Sequence, residues 1–291
     1  MKLVDFNNIL YIRTFSLKSR GELDKHNLFS DVIKSLRYFD EDIDAKYGRL
    51  IICCDSKSNW RKDYFKNYKI KRKEAREESD IDWNEMFAWW SELKEIIKTN
   101  TSWPLIEIEK LEGDDIIGLI CQLTKPEKHL IISSDKDFNQ LLKKYWIFQF
   151  SPLSMQEIER DDLKLKTLIL KGDASDGVPN IFCDDDWFIK EDKPRAKSVS
   201  KKLIEEINLS SEHYVRNYLL QTNIFKENDS EKLNKLVEST IHNYKRNKLM
   251  VDLSEIPIEY HQIFKKEFIK AINTANQIKP IKQIQLFNEW I

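Results

Sequence analysis

The sequence of 291 residues contains little glycine, proline or cysteine, with 6, 7 and 4 residues respectively. This composition excludes a collagen-like or low-complexity chain. Four cysteines in a chain of this length exclude a disulfide scaffold, and we expect them to be buried and reduced. No apolar run approaches the ~20 residues that span a bilayer, and Asp5 interrupts any signal-peptide pattern. The sequence therefore predicts a soluble, cytoplasmic protein without a membrane partner.

The chain also lacks an excess of either charge, because it contains 48 Lys and Arg and 49 Asp and Glu. Hydrophobic residues make up 41% of the chain, which is enough for a core, and the length allows one large domain or two small ones. The charges are nevertheless unevenly distributed. The stretch from Arg61 to Arg76 contains eight basic residues and only two acidic ones, whereas elsewhere acidic residues cluster at the ends of apolar runs. This separation is the first indication of function.

Short apolar segments alternate with amphipathic segments in the first half of the chain. The apolar segments predict buried strands at Lys2–Val4, Leu50–Cys54, Leu105–Ile108, Leu130–Ser133 and Tyr145–Phe150. The amphipathic segments predict helices at Leu28–Phe39, Trp83–Ile97, Asp114–Leu123 and Phe138–Leu142. Strands that alternate with helices need crossover connections. The fold class is therefore predicted to be α/β, with a mainly parallel central sheet flanked by helices.

The pattern changes after about residue 160 and becomes helical, with a turn at Gly172–Asn180. We predict an α/β body over residues 1–160, which includes a charged helical segment at about 57–80. A helical region over residues 161–291 is predicted to pack on this body, and its part around 161–207 has the pattern of a helix-turn-helix.

Carboxylates cluster at the ends of the predicted strands. Asp5, Asp55 and Asp135 each follow a strand, and the carboxyl ends of parallel strands meet at one edge of a sheet, where ligands bind. Further acidic residues lie in the motifs EGDD, DKD and GDASD, namely Glu112, Asp114, Asp115, Asp137, Asp173 and Asp176. A single aspartate after a strand is more often a helix cap or turn residue. The three strand-end aspartates and the three acidic motifs taken together, however, favour a metal site.

Nine carboxylates at one edge would repel each other unless cations were bound between them. Ligand sets made of oxygen alone suit Mg²⁺ or Mn²⁺, whereas the histidines and cysteines are not spaced as zinc ligands. Two such ions about 4 Å apart are the usual arrangement for in-line attack of water on a phosphodiester. The acidic residues therefore predict a site with two divalent ions.

The segment Trp60–Arg76 mixes basic and aromatic residues. If the segment is helical, one stripe carries Lys62, Lys66, Lys69, Lys73 and Arg76, and a neighbouring stripe carries Trp60, Tyr64 and Tyr68. Basic side chains neutralise phosphates, and aromatic rings stack on unpaired bases. The alternative is a solvated amphipathic helix whose aromatic residues face the core. The position of the segment directly after Asp55 favours nucleic-acid binding.

Five motifs in this order carry a resemblance to a known family: VDFN at 4–7, CDSKSNWRKDYFKNYKIKRKEAREES at 54–79, EKLEGDDIIGL at 109–119, LIISSDKDFNQL at 130–141 and ILKGDASDGV at 169–178. The chain resembles the flap-endonuclease-type 5′ nucleases and, within them, the ribonuclease H type of T-even phages, 5′-3′ exonucleases that remove RNA primers. The resemblance covers most of residues 1–210. It implies a PIN-like 5′ nuclease fold with a helical arch at about 57–80.

The resemblance also implies roles for individual residues. A first ion would be held by Asp5, Asp55, Glu112, Asp114 and Asp135, and a second ion by Asp115, Asp137, Asp173 and Asp176. In the arch, Lys69 and Arg72 would act as catalytic residues on the scissile phosphate, Tyr68 would stack on the terminal base, and Arg61 would assist.

One departure from the family concerns the turn at Gly172–Asn180. In many relatives this turn continues into a second glycine hairpin that binds a DNA phosphate, often with potassium. The residues that follow here, IFCDDDWFIKEDKPR, contain no glycine. We therefore expect duplex phosphates to be bound by side chains instead, namely Lys190, Lys193, Arg195 and Lys197.

The resulting prediction is a phosphodiesterase with 5′-3′ exonuclease and flap-endonuclease activity on RNA–DNA or DNA duplexes, acting in primer removal during phage DNA replication. Expected partners are an RNA–DNA hybrid, a 5′ flap, a duplex 5′ end and a single-strand-binding protein, with the enzyme itself a monomer in the infected bacterial cell. The alternative is a structure-specific nucleic-acid-binding protein without catalysis. A phosphatase with an aspartyl nucleophile is disfavoured, because Asp5-Phe6-Asn7 lacks the expected second aspartate.

The carboxyl-terminal segment Gln283–Phe287 resembles the short peptide by which replication proteins bind a sliding clamp. Pro280 discourages a helix from continuing into it, and termini are often available to partners. The competing interpretation is that Leu286, Phe287 and Trp290 pack against the helical region. The sequence leaves both interpretations open.

Overall fold

The computed structural model describes residues 1–124, 127–192, 195–222 and 224–278, together with Gln283. The chain divides into two compact units, and each unit combines separate stretches of sequence. Unit 1 contains Met1–Asn59, Ile81–Arg160 and the described residues from Ile256 onward. Unit 2 contains Trp60–Asp80 and Asp161–Glu255. The basic segment thus belongs with the helical region, and the last described helix belongs with the sheet.

Unit 1 is built on a six-stranded sheet with the order β3-β2-β1-β4-β5-β6. The strands are β1 Lys2–Asp5, β2 Leu50–Cys54, β3 Leu105–Glu107, β4 His129–Ile132, β5 Ile147–Ser151 and β6 Gln156–Glu157. The first five pair in parallel, and β6 pairs antiparallel with β5. The prediction of a mainly parallel sheet is confirmed. The edge strand β6 was not predicted, because its two residues are exposed and polar.

The described part of unit 1 also contains five α-helices: α1 Phe6–Ser19, α2 Lys25–Glu41, α5 Trp83–Asn100, α6 Gly113–Leu123 and α11 Ile258–Asn276. Helix α1 was missed by the sequence analysis, since it follows β1 without a loop. Asp5 ends the strand and also caps the helix, where its Oδ1 accepts a hydrogen bond from the Asn8 amide at 3.2 Å. A short 3₁₀ helix, Lys136–Leu141, follows β4.

The six described helices of unit 2 are α3 Arg61–Tyr64, α4 Lys71–Glu77, α7 Lys164–Lys171, α8 Lys201–Glu206, α9 Glu212–Gln221 and α10 Ser230–Val251. Their core is formed by apolar residues of α7 to α10, including Leu170, Val215 and Ile241. The turn at Gly172–Asn180 follows α7, as predicted from its sequence.

The core of unit 1 lies against the sheet. Val4, Ile52 and Ile132 on neighbouring strands pack with residues of α1, α2 and α5, and all three are fully buried. Their strand neighbours Leu3 and Ile51 are equally buried, which explains why these strands appear as continuous apolar runs. All four cysteines are buried and reduced, as expected. None of the helices in the described residues combines the length and apolar composition that crossing a bilayer requires.

His129 begins β4 and is fully buried. Its Nε2 lies 2.9 Å from the Thr124 hydroxyl, and its Nδ1 lies 3.2 Å from the Met1 amine. Burial, followed by the nearby charge of that amine, lowers the pKa of His129 to about 4.

This depressed pKa predicts a loss of stability in acid. Between about pH 6.5, the usual pKa of histidine, and pH 4 the unfolded chain binds a proton that the folded protein does not, so stability falls as pH falls. We expect the free energy of unfolding of the wild type to drop by about 2 kcal/mol more than that of His129→Gln between pH 7 and pH 4.5. Urea titrations at both pH values measure this difference. Equal losses in both proteins would contradict the assignment.

Candidate functional site

The carboxyl ends of β1, β2 and β4 carry three aspartates. Strand β1 lies between β2 and β4, so the chain order of the sheet reverses at β1. In open α/β sheets, ligands bind outside the carboxyl ends of the strands at such a reversal. Asp5 ends β1, Asp55 follows β2 directly, and Asp135 follows β4 after two serines. The topology therefore brings these three aspartates to the place where this fold binds ligands.

Asp5 lies at the centre of this carboxylate group. Its Oδ2 accepts a hydrogen bond from the Ser133 hydroxyl at 2.8 Å. The pKa of Asp5 is raised to about 7, chiefly by burial, then by the negative charge of Asp55 and, as a smaller contribution, by that of Asp135. The carboxylates of Asp55 and Asp135 are thus close enough to Asp5 to repel its charge. Oxygen ligands with an excess of negative charge match the requirements of a hard divalent cation.

The start of α6 brings further carboxylates to unit 1. Ligand oxygens of Glu112, Asp114 and Asp115 lie within 4.8 Å of one another, and Glu112 and Asp115 are buried. The Gly113 amide donates to Asp55 Oδ1 at 2.8 Å, which joins this group to the end of β2. A Cβ at Gly113 would lie 3.1 Å from the Cys53 carbonyl oxygen, so glycine permits this close approach.

Part of the acidic group at α6 is also used for capping. The Glu112 amide donates to Asp115 Oδ2 at 3.0 Å, and the Asp115 amide donates to Asp114 Oδ1 at 2.7 Å. Asp115 is fully buried. The Glu112 side chain in turn accepts a hydrogen bond from the backbone of the first turn, so all three carboxylates take part in capping α6.

The loop after β4 is held by backbone and side-chain hydrogen bonds. The Asp135 amide donates to the Ser133 hydroxyl at 3.1 Å, and the Asp137 amide donates to Asp135 Oδ1 at 2.8 Å. The buried Gln149 on β5 donates from Nε2 to the carbonyl oxygens of Ser133 and Asp135, at 3.0 and 2.5 Å. Asp135 itself is exposed and Asp137 is half-buried. The loop thus presents Asp135 to solvent on a fixed backbone.

The polar residues that orient the carboxylates are not among the predicted site residues. Asn7 accepts a hydrogen bond from the Asp55 amide at 3.1 Å, and Asn8 accepts one from the Ser134 amide at 3.0 Å. These two asparagines therefore join the ends of β2 and β4 to the first turn of α1. The two adjacent asparagines in the motif VDFNN are the feature of the sequence that could have indicated this role. Gln149 offered none, since it lies within an otherwise apolar strand.

The basic segment of unit 2 is not one continuous helix, which corrects the helical stripe considered above. Helix α3 ends at Tyr64 and α4 begins at Lys71, and Lys69 between them has a φ of 56°. Phe65 and Tyr68 pack into a cluster with Val178 and Met250, which requires the chain to leave the helical path. The basic residues therefore do not form a single stripe.

Burial also changes the roles expected within this segment. Arg61 is only 1% exposed, and its Nε donates to the Met250 carbonyl oxygen at 2.8 Å, so it supports the fold of unit 2 instead of contacting phosphate. Trp60 and Tyr68 are likewise buried, and Tyr68 has no exposed face on which a base could stack. Of the other residues predicted to bind nucleic acid in this segment, Lys62, Tyr64 and Lys66 are exposed and Arg76 is half-buried. The side chain of Lys73 lies outside the described part of the protein.

Asp173 and Asp176 occupy the turn after α7 in unit 2. Asp173 Oδ1 accepts hydrogen bonds from the amide and the hydroxyl of Ser175, at 2.8 and 2.6 Å, and so stabilises the turn. Asp176 instead pairs with the basic segment, where Arg72 Nη2 donates to its Oδ1 at 2.6 Å and Lys69 Nζ lies 3.6 Å from its Oδ2. The two predicted catalytic cations therefore contact one of the predicted metal ligands.

The four cations predicted to bind duplex phosphates have different surroundings. Lys190 pairs with Asp184 and Asp186 at 3.3 and 2.8 Å. Lys197 donates to the Ile224 carbonyl oxygen and lies over the rings of Phe182 and Phe225, and burial lowers its pKa. Its ammonium is thus used within the fold of unit 2, which corrects its expected role. Arg195 is exposed, and Lys193 lies outside the described residues.

The predicted clamp-binding peptide falls largely outside the described chain. Of its five residues only Gln283 is described, and its Oε1 accepts hydrogen bonds at 2.9 Å from the amide and the hydroxyl of Ser102. Residues 284–287 lie outside the described residues, so both interpretations of this peptide stay predictions.

Comparison with known proteins agrees with the geometry. The family model described as the 5′-3′ exonuclease, N-terminal resolvase-like domain matches residues 1–167. The ribonuclease H of enterobacteria phage T4 is 30% identical over 221 residues, which cover 72% of this chain and 66% of that protein. The chain thus spans just under two thirds of the length of this relative.

Solved structures share the fold at lower identity. The D15 protein of phage T5, co-crystallised with metal ions, is 17% identical with a TM-score of 0.64, and the match covers 94% of this chain and 98% of that one. The T5 D15 flap endonuclease in a complex with DNA and metal ions is 18% identical with a TM-score of 0.65, over 95% and 99% of the two chains. Since the family model matches more than half of the chain and its predicted sheet is present, the resemblance inferred from the five motifs is confirmed: the chain belongs to the 5′-3′ exonuclease family.

Proposed function

We propose that this protein is a metal-dependent 5′ nuclease that hydrolyses phosphodiesters at 5′ ends and flap junctions of RNA–DNA or DNA duplexes. The observation that carries the proposal is the convergence of Asp5, Asp55 and Asp135 at the carboxyl edge of the sheet, where burial, followed by the negative charge of Asp55, raises the pKa of Asp5 to about 7. The relative named ribonuclease H and the T5 D15 complex with DNA and metal ions support the same chemistry. By the same analogy, we propose a role in primer removal during phage DNA replication in the bacterial cytoplasm.

The proposed metal ligands come from the carboxyl edge of unit 1: Asp5, Asp55, Glu112, Asp114 and Asp135, with Asp137 beside them. Mg²⁺ or Mn²⁺ fits this set, because all of its ligand atoms are carboxylate oxygens. Two such ions, when bound, lower the pKa of an attacking water and stabilise the charge on the phosphate. We propose that two ions are bound per site.

The residues around the carboxylates act by orienting them. The Ser133 hydroxyl and the Asn8 amide each donate to one oxygen of Asp5, and the Gly113 amide donates to Asp55. These hydrogen bonds fix the carboxylates before any substrate arrives. A preorganised site avoids reorganisation during the reaction, which is the largest source of electrostatic catalysis in many enzymes.

Unit 2 is proposed to bind the phosphate backbone. Lys69 and Arg72 match the family motif for the scissile phosphate, and the exposed Lys62 and Lys66 lie on the same segment. Contacts to phosphates position a nucleic acid without reading its bases. We therefore propose recognition of structure, such as a free 5′ end, instead of recognition of sequence.

The second candidate is a nucleic-acid-binding protein without catalysis. Such a protein would need the basic residues of unit 2 but not a group of converging carboxylates, whose mutual repulsion lowers stability unless a cation is bound. The carboxylates around Asp5 therefore favour the enzyme.

The proposed function is tested by removing the metal. A 5′-labelled RNA–DNA hybrid and a 5′ flap DNA are incubated with the protein in Mg²⁺, in Mn²⁺ and in excess EDTA. We expect cleavage near the 5′ end with either ion and none in EDTA. Binding in EDTA without cleavage in Mg²⁺ or Mn²⁺ would support the binding protein, and full cleavage in EDTA would contradict the metal mechanism.

Gln149 provides a test of how the loop carrying Asp135 is held. Gln149→Leu removes two hydrogen bonds to buried or half-buried carbonyl oxygens, and we expect a loss of about 1–3 kcal/mol in the free energy of unfolding. We also expect slower cleavage, because the loop is no longer fixed. Urea unfolding and single-turnover rates measure the two effects. Gln140→Leu, on the adjacent 3₁₀ helix, is the comparison variant, and equal rate losses in both would show that Gln149 has no special role.

A further inference from the structure

Two adjacent asparagines, Asn7 and Asn8, lie in the first turn of α1. The Asn7 Oδ1 atom accepts a hydrogen bond from the Asp55 amide at 3.1 Å, and the Asn8 Oδ1 atom accepts one from the Ser134 amide at 3.0 Å. These two amides follow β2 and β4, the strands on either side of β1. Consecutive side chains on a helix point about 100° apart, so the two asparagines reach both neighbouring strands from a single turn. We call these two residues the asparagine pair.

The asparagine pair is linked to the carboxylates by short hydrogen bonds. The Asn8 amide donates to Asp5 Oδ1 at 3.2 Å. The Ser133 hydroxyl donates to Asp5 Oδ2 at 2.8 Å and accepts from the Asp135 amide at 3.1 Å. Both oxygens of Asp5 are therefore held, one by the first turn of α1 and the other by the loop after β4. Since the Asn8 side chain binds this loop to the same turn, the position of Asp135 relative to Asp5 depends on Asn8.

The loop after β4 is also held from the side of β5. The Ser134 hydroxyl lies 2.9 Å from the Ser151 hydroxyl and accepts a hydrogen bond from the Leu153 amide at 3.2 Å. Gln149 donates to two carbonyl oxygens of the same loop. Loss of the Asn8 contact therefore releases one side of the loop while the contacts with β5 keep it folded.

The carboxylate of Asp5 is repelled by its neighbours. Burial, then the negative charge of Asp55 and, as a smaller contribution, that of Asp135 raise the pKa of Asp5 to about 7. Unless a cation is bound, this repulsion favours separation of the strand ends. The asparagine pair opposes the separation through two hydrogen bonds that start from one rigid helical turn. Asparagine suits this role because its amide oxygen accepts a backbone hydrogen bond without adding a further negative charge.

We propose that Asn7 and Asn8 are positioning residues that fix the separation of the ends of β2 and β4 from Asp5, and that they thereby favour Mg²⁺ over Ca²⁺. This inference rests on the proposed function, and neither asparagine is assigned a contact with the ion. Mg²⁺ demands a nearly ideal arrangement of its oxygen ligands, whereas Ca²⁺ accepts flexible arrangements at longer distances. Carboxylates that are free to move apart should therefore lose affinity for Mg²⁺ more than for Ca²⁺.

The experiment compares wild type, Asn7→Ala, Asn8→Ala and the control Asn100→Ala. Asn100 is also a half-buried asparagine of unit 1, and its Nδ2 donates to the Ile96 carbonyl oxygen at 2.9 Å. It ends α5 and precedes β3, so it lies away from the carboxyl ends of the strands. Dissociation constants for Mg²⁺ and for Ca²⁺ are measured by calorimetry without nucleic acid. Single-turnover cleavage of a 5′ flap DNA is measured over a range of Mg²⁺ concentrations.

For Asn7→Ala and for Asn8→Ala we expect the Mg²⁺ dissociation constant to rise about tenfold, which is the effect typical of losing a group that orients a metal ligand. The Ca²⁺ constant should rise less than about threefold, and the Mg²⁺ midpoint of cleavage should follow the Mg²⁺ constant. Asn8→Asp keeps an acceptor for the Ser134 amide and should keep the wild-type ratio of the two constants, as should Asn100→Ala. Equal losses for both ions, no loss for either, or an Asn8→Asp ratio like that of Asn8→Ala would overturn the proposal.

The two proposals fail in different ways. Wild-type protein that binds Mg²⁺ but cleaves neither substrate contradicts the proposed function, whereas the comparison of ion binding does not depend on cleavage. Wild-type cleavage together with an unchanged ratio of the two constants in both alanine variants contradicts this inference alone. If Asn8→Ala does not fold, as judged by circular dichroism, Asn8→Leu replaces it, since leucine has a similar shape and no hydrogen-bond acceptor. A wild-type ratio in that folded variant would likewise overturn the inference.

Discussion

Asp135→Asn is expected to lower the single-turnover cleavage rate about a thousandfold, which corresponds to about 4 kcal/mol of transition-state stabilisation. Asp135 is exposed on a loop held in place by a hydrogen bond from its own amide to the Ser133 hydroxyl and by one from Gln149 to its carbonyl oxygen, and its charge contributes to the raised pKa of Asp5. Asparagine removes this charge from the proposed metal site. It keeps an acceptor for the Asp137 amide, so the loop should stay folded.

Binding and stability separate this effect from a structural one. Affinity for a flap DNA in EDTA and the melting temperature should both stay close to wild type. Asp24→Asn is the matched control, since Asp24 caps α2 through the Asn27 amide at 2.8 Å and asparagine caps helices equally well. A rate for Asp135→Asn within a few-fold of that of the control would remove Asp135 from the metal site.

Lys69→Gln should lower the single-turnover rate about a hundredfold while changing affinity little, which is the size of effect seen when one preorganised donor to a transition state is lost. The ammonium of Lys69 is held at Asp176 and over the Tyr68 ring, so it is ordered before substrate binds. A cation that acts on the charge developing at phosphorus affects the rate more than ground-state binding.

Lys66→Gln is the comparison, because Lys66 lies on the same segment but is exposed. A cation that contacts only the phosphate backbone should weaken binding and reduce the salt slope by about one, with little change in the single-turnover rate. Affinity at several salt concentrations and single-turnover rates are measured for both variants. If both lose rate and affinity in the same proportion, Lys69 has no special role at the scissile phosphate.

Some strands and helices of this fold can be predicted from the sequence alone, and others cannot. The strands of the sheet were predictable, because both faces of a parallel sheet are buried and the strands are therefore apolar throughout. Helix α1 and strand β6 were not. Helix α1 follows β1 without a loop that would separate the two patterns, and β6 has two exposed polar residues whose pairing with β5 depends on a neighbour.

The acidic part of the site was more predictable than its basic part. The ends of successive parallel strands meet at one edge whatever the details of packing, so the proximity of Asp5, Asp55 and Asp135 follows from local pattern and topology. The basic segment carries a regular helical pattern, yet Tyr68 turns inward to pack on Val178 and Met250, more than a hundred residues away. Such a contact between distant parts of the chain leaves no periodic signal near Tyr68.

The fold class, the family and the group of strand-end carboxylates follow from the sequence alone, since each depends on residues that are adjacent in the chain or on the order of strands. Which of the cations are available depends instead on the tertiary contacts. Arg61 is buried and donates to a backbone carbonyl oxygen, and Lys197 lies against two phenylalanine rings. Lys69 and Arg72 both form ion pairs with Asp176. A charged side chain is free or engaged according to the partners that the fold brings to it, and those partners come from distant parts of the sequence.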